Sequence, residues 1–283
     1  MASTAKYTPA PTEDPDVHHL YTQPPPSYQA STSYPATSSS AQDDIHLYGA
    51  PRSSLDNLPD DFKYGSCVAD ATIEIRTQFV RKVYTILTTQ LVTTGAISAL
   101  SFASEGYKGW IQSHPGMLYF SMFGAIGMLL VTFWKRHSYP TNLIFLSIFT
   151  IMEAYGISVV VSYYDTAVVL NAVLLTAGIF IGLTLFACQT KYDFTSWMPY
   201  LFFALWGLIL VSLSAAILPY SSGFDLFLAI MTAVLFTAYI VVDTQLVMRH
   251  LHVEEEIAAA INLYLDILNL FLAILRILNN RDD

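Results

Sequence analysis

Seven long apolar runs constrain what this chain can fold into. They lie at about 83–103, 116–134, 141–163, 166–188, 197–218, 224–248 and 257–278. Each is near the roughly 20 residues that an α-helix needs to cross a bilayer. Only 12% of the residues are charged, against roughly 25% in a soluble domain, and 54% are hydrophobic. The sequence therefore predicts an all-α polytopic membrane protein, with a bundle of seven transmembrane helices over 71–283. The division between the third and fourth spans, only Tyr164 and Asp165, is the narrowest.

Residues 1–70 are of another kind. They are rich in Pro, Ser, Thr, Tyr and acidic residues, carry no helical or strand period, and cannot bury enough apolar surface to fold alone. A disordered cytosolic tail is expected. The formal charge of -9 belongs mainly to this tail, with Asp14, Asp16, Asp43, Asp44, Asp60 and Asp61 among its acids. No apolar h-region opens the chain, so the first span is expected to act as the insertion signal. Pro24 to Tyr28 form a PPxY element, in which Pro25, Pro26 and Tyr28 suit the aromatic groove of a WW domain; a Pro-rich spacer is the plain alternative. Cys67 and Cys188, the two cysteines, suggest no disulfide framework.

The first span is polar in Thr85, Thr88, Thr89, Gln90, Thr93 and Thr94, which predicts that it faces other helices. Gly124 and Gly127 in the second and the Gly178/Gly182 pair in the fourth suit close helix packing. Basic residues in short loops set the orientation. Arg76, Arg81, Lys82, Lys135, Arg136, Lys191 and Arg249 fall on one side and Lys108 alone on the other, so the N-terminus is expected in the cytosol and the C-terminus across the membrane.

The last two spans each carry an aspartate in hydrocarbon, Asp243 and Asp266, and an intramembrane carboxylate is a functional feature by default. Counting 1.5 Å per residue from the cytosolic face places them within about 5 Å of the same depth. Two carboxyl groups that meet in a low dielectric share a proton and form a pH sensor; when both are ionised they attract a divalent cation transiently. Arg136, at the cytosolic end of the second span, is placed to latch the shallower acid. In the seventh span Asn262, Asp266, Asn269, Ala273 and Arg276 recur at steps of four, three, four and three, one stripe of a helix whose other faces are Leu, Ile, Phe and Tyr. That pattern suits a buried helix with its stripe along a cavity; interhelical hydrogen bonding is the alternative use. Tyr239, one turn before Asp243, and Glu153, mid-way along the third span, are further pore candidates.

FVRKVYTILTTQL at the first span, FWKR after the second, VVDTQ in the sixth and LYLDILNLFLAILRIL in the seventh resemble the Bax inhibitor-1 family, the transmembrane Bax inhibitor motif proteins, and especially their lifeguard branch. The likeness covers about 61–283. It implies a seven-helix fold with the last helix central, acting as a pH-sensitive calcium leak of an intracellular membrane that limits cell death and stress responses. The endoplasmic reticulum, Golgi, vacuole or lysosome, and mitochondrion all fit. Its aspartyl dyad falls on Asp243 and Asp266 and its latch arginine on Arg136. Arg276 matches a basic residue that a bacterial relative pairs with a glutamate of the second span; here Ala125 occupies that place, and Glu153 is the substitute available.

No cofactor is called for: calcium enters as the permeant ion, and the lipid bilayer is the constant partner. No nucleic acid is expected. An intramembrane aspartyl protease also uses two aspartates, but no glycine precedes Asp266 in the manner of its GxGD motif, and a zinc hydrolase needs histidines at depth, where this chain has none. A non-enzyme is expected. The competing function is a non-conducting adaptor that binds cell-death regulators or, through Pro25, Pro26 and Tyr28, a WW-domain ubiquitin ligase.

Overall fold

The computed structural model describes residues 67–69, 71–135, 138, 140–217 and 221–282, all within one compact unit, Gly49–Asp283. Among the described residues there are eight α-helices and no strands. They are α1 (Ile73–Ala103), α2 (Glu105–Ser113), α3 (Pro115–Trp134), α4 (Thr141–Val161), α5 (Thr166–Gln189), α6 (Met198–Ile217), α7 (Ser222–Gln245) and α8 (Glu256–Asp282). All but α2 are long and apolar enough to cross a membrane.

Two ends of the bundle follow from the loops. At the basic end the α5–α6 loop with Lys191, the turn after α7 with Arg249, and the start of α1 come together, as Cys67 bridges to His252 and Val68 N–H donates to the Leu251 carbonyl at 2.9 Å. At the far end α2 lies across the exit of α4. Ser104 caps it by accepting from Tyr107 N–H, and Gln112 Nε2 donates to the Ser162 carbonyl at 3.1 Å. The sequence pattern gave no sign of α2, which at nine residues is too short to span.

The C-terminal helix α8 is the most enclosed: Leu263, Tyr264 and Leu275 are fully buried, and it packs against α1, α5 and α7. Between lipid-like side chains this cohesion is van der Waals fit rather than escape from water. Just before α8 begins, the Glu255 carboxylate accepts from His252 N–H at 3.3 Å and closes the turn that leads into the helix. By contrast α6 packs chiefly on α7, and the face it leaves uncovered, with Phe203, Leu210 and Leu213, is apolar.

Two packing expectations are corrected. On α1, Gln90 and Thr94 turn inward, but Thr85, Thr88 and Thr89 are exposed. Each donates to the carbonyl four residues earlier at 2.7, 2.7 and 2.9 Å, so its hydroxyl is satisfied within the helix and it can face lipid. On α5, a methyl group added at Gly178 or Gly182 would meet nothing within 4 Å, whereas at Gly124 of α3 it would strike the Met152 thioether of α4. Of the four glycines expected to pack closely, only Gly124 does; Gly127 of α3, like the α5 pair, has nothing within 4 Å of an added methyl. Gly178→Leu with Gly182→Leu is therefore expected to leave the melting temperature unchanged or slightly raised, within about 0.5 kcal/mol, as read by thermal unfolding in detergent.

Candidate functional site

α7 and α8 are consecutive antiparallel helices, so residues near the end of one lie level with residues near the start of the other. Asp243 and Asp266 meet on this account. Each is 5% exposed, and their carboxyl groups engage each other side chain to side chain. A hydrogen bond between two carboxyl groups requires that one of them carry a proton. Asp243 Oδ1 and Asp266 Oδ2 are buried without a protein partner, so the pair keeps acceptor capacity in reserve. Tyr239, one turn away and 9% exposed, is close enough for its hydroxyl to feel both carboxyls.

The pair borders a cavity of about 1040 Å³ between α6, α7 and α8. One wall is the stripe of α8: Asn262, Asp266, Asn269, Ala273 and Arg276 all line it, as does Tyr239. From Asn262 to Arg276 is about 21 Å along the helix axis, most of the thickness of a hydrocarbon core. The opposite wall is mainly apolar, with Phe202, Leu205 and Leu208 of α6 and Ser212 as its polar residue. Asn269 donates to the Leu265 carbonyl at 2.8 Å, which leaves its amide oxygen as a further acceptor beside the cavity.

Other expected site residues fall elsewhere. Arg276 closes the far end of the cavity by pairing with Asp225 of α7, next to Tyr164. Its partner is therefore not Glu153. Nor does Glu153 line the cavity: α4 packs on α1 and α3, and Glu153 lies on the opposite side of α8, acting on Tyr264 rather than on the aspartates. Arg136 and the Pro25, Pro26, Tyr28 element lie outside the described residues. No three His, Cys, Asp or Glu side chains converge among the described residues, so a cation at the dyad would have two carboxylates as its only charged ligands.

At the basic end beneath the dyad, hydrogen bonds that leave no pattern in the sequence tie the α5–α6 loop to the end of α7. Gln245, two residues past Asp243 and fully buried, accepts from Phe194 N–H at 2.7 Å and donates to the Tyr192 carbonyl at 2.8 Å, pinning the α5–α6 loop to α7. Arg249 donates to the Thr190 carbonyl at 2.9 Å. Arg249 stands within Leu246–His250, a π turn, which is a local widening common at functional positions in helices. In the same loop Asp193 accepts from the Thr195 hydroxyl at 2.6 Å and from its N–H at 2.9 Å, which holds the carboxyl below its ordinary value, and His250 lies 3.6 Å away. A lowered value makes the contribution of Asp193 complete above the ordinary carboxylate range and lost only as pH falls through it. In a His250→Gln background, the melting-temperature difference between Asp193 and Asp193→Asn proteins is thus expected to be constant from about pH 5 to pH 7 and to shrink in stronger acid.

Fold and site together define an all-α polytopic membrane protein whose most enclosed helix presents a carboxyl pair and a polar stripe to an intramembrane cavity. The chain belongs to the Bax inhibitor-1 family. The family model for the inhibitor of apoptosis-promoting Bax1 matches residues 76–283. Protein lifeguard 4 of Mus musculus is 40% identical over 81% of this chain and 95% of its own length. The Golgi anti-apoptotic protein of vaccinia virus (strain Lister) is 40% identical over 80% and 95%, and Bax inhibitor 1 of Schizosaccharomyces pombe is 33% identical over 97% and 96%.

Proposed function

We propose that this protein is a pH-sensitive calcium leak of an intracellular membrane, with its basic end and N-terminus in the cytosol, and that through this leak it restrains cell death. The observation that carries the reading is the joined carboxyl pair Asp243–Asp266 at the side of a cavity that follows the polar stripe of α8 across most of the bilayer. With one proton the pair ties α7 to α8 and carries a single negative charge. Without it the two carboxylates repel and together match the charge of a divalent cation, for which oxygen ligands are suited. The tie and the ion site are thus two states of the same atoms, which makes passage depend on pH. The names of the relatives, an anti-apoptotic protein and Bax inhibitors, support cell-death control as the output, and the Golgi in the name of the vaccinia virus protein supports an internal membrane.

The test is reconstitution of the full chain in liposomes loaded with a calcium dye. Protein-dependent calcium entry that changes with pH is the expected result. Vesicles no leakier than protein-free ones at every pH would leave partner binding, not conduction, as the route to cell death.

A further inference from the structure

α1 and α5 each pack along α8, the most enclosed helix, yet barely touch one another. Toward the far end they leave a crevice of about 560 Å³ between them, and its floor is Ile267, Leu268 and Phe271 of α8. These three follow Asp266 within about one turn and a half and are 6%, 6% and 7% exposed, so they belong to the core rather than to the outer surface. The walls part where α1 offers Gly95 and Ala99, four residues apart on one face, and α5 offers Val173 and Ala177. A methyl group added at Gly95 would meet nothing within 4 Å. The gap is therefore open space, not a close approach of two helices.

The crevice is hydrocarbon along its open length. Thr94 and Thr176 spend their protons on the Gln90 and Ala172 carbonyls at 2.9 and 2.7 Å, and Ser98 Oγ is buried. Thr166, at the far mouth, is the exposed polar residue of the lining. Both walls continue into exposed apolar surface, with Val92 and Leu100 on α1 and Leu170 and Leu174 on α5. On membrane-spanning helices such surface faces lipid, so the crevice opens sideways onto the bilayer. From Phe102 to Leu91 is about 16 Å along α1, close to the roughly 15 Å of hydrocarbon in one leaflet. An apolar cavity does not hold water, and an unfilled one forfeits the dispersion contacts of its lining.

We propose that this crevice holds one acyl chain of a phospholipid from the far leaflet, which enters between α1 and α5 and packs on Leu268 and Phe271 of α8. The inference is independent of the leak reading. Length, lateral opening and lining select the occupant. A chain tail needs no hydrogen-bond partner and the open length offers none, while Thr166 stands at the mouth, where the polar end of the lipid begins. Held there, the chain completes the wall around α8 and backs the turn that follows Asp266. Its cohesion is van der Waals contact, as between helices in hydrocarbon.

The experiment reconstitutes the purified full chain in phosphatidylcholine that carries a photoactivatable diazirine in mid-chain, and maps the residues labelled on irradiation by mass spectrometry. Label is expected on Leu268 and Phe271 of the central helix as well as on Leu174, which is exposed on α5, but not on Leu263, which is fully buried and outside the crevice. Gly95→Leu with Ala99→Leu should fill the crevice and remove the label from Leu268 and Phe271 while leaving that on Leu174. The contrast between Leu268 and Leu263 in the unaltered chain carries the test if the double variant does not fold. Label on Leu174 with none on α8, label on α8 that survives the two leucines, or label on α8 from a photoactivatable sterol but not from the phospholipid chain would each overturn the assignment.

Discussion

Asp266→Asn is expected to flatten the pH dependence of calcium flux between about pH 6 and pH 8 and to lower the flux by about tenfold to a hundredfold. In the wild-type pair the bond between Asp243 and Asp266 exists only while a proton is shared. An asparagine amide at 266 donates a hydrogen at every pH, so the tie between α7 and α8 becomes permanent. The variant also keeps only one carboxylate at the cavity, so a divalent ion loses one of its two charged oxygen ligands. Asp243→Asn should behave alike, because the bond is symmetric in its partners. Side-chain volume hardly changes, so folding should survive, and circular dichroism with thermal unfolding separates lost function from lost structure. Flux that keeps its wild-type pH profile in both variants would remove the pair from the gate.

The aspartates were legible in the sequence because depth in a bilayer can be counted along a helix. Consecutive antiparallel spans turn equal counts from the membrane face into proximity, and the four-three spacing from Asn262 to Arg276 marks one face. Counting gives level but not azimuth. Glu153 has the right depth for the cavity, yet α4 turns it to the other side of α8. Asp225 was within reach of the same arithmetic. It sits in the first turn of α7, level with Arg276 in the second half of α8, but the resemblance places the partner of that arginine in the second span and not in the sixth. The threonines of α1 misled for a different reason: a hydroxyl bonded within its own helix is no longer polar to its surroundings. Gln245 stands inside the VVDTQ motif, but its partners are backbone atoms of the α5–α6 loop, and such bonds leave no periodic trace.

Gln245→Leu is expected to give the second large effect, a calcium leak raised at every pH together with a lower melting temperature. The glutamine is fully buried and makes two bonds to main-chain atoms, from Phe194 N–H and to the Tyr192 carbonyl. Leucine fills nearly the same space and satisfies neither, and each buried group left alone costs about 1–3 kcal/mol. With two such groups the loss is about 2–6 kcal/mol, enough to lower the melting temperature by about 4 °C at the least in a domain of this size. The more informative result is the flux. Gln245 is two residues beyond Asp243 on α7, so the loop it holds lies between the dyad and the basic end of the bundle. Releasing the loop leaves the carboxyl pair intact while removing the layer beneath it, so the leak should rise yet still respond to pH. Gln245→Glu, which keeps the acceptor for Phe194 N–H but loses the donor to the Tyr192 carbonyl, should fall between. A Gln245→Leu protein that melts early but leaks no faster than wild type would show that the α5–α6 loop braces the fold without sealing the cavity.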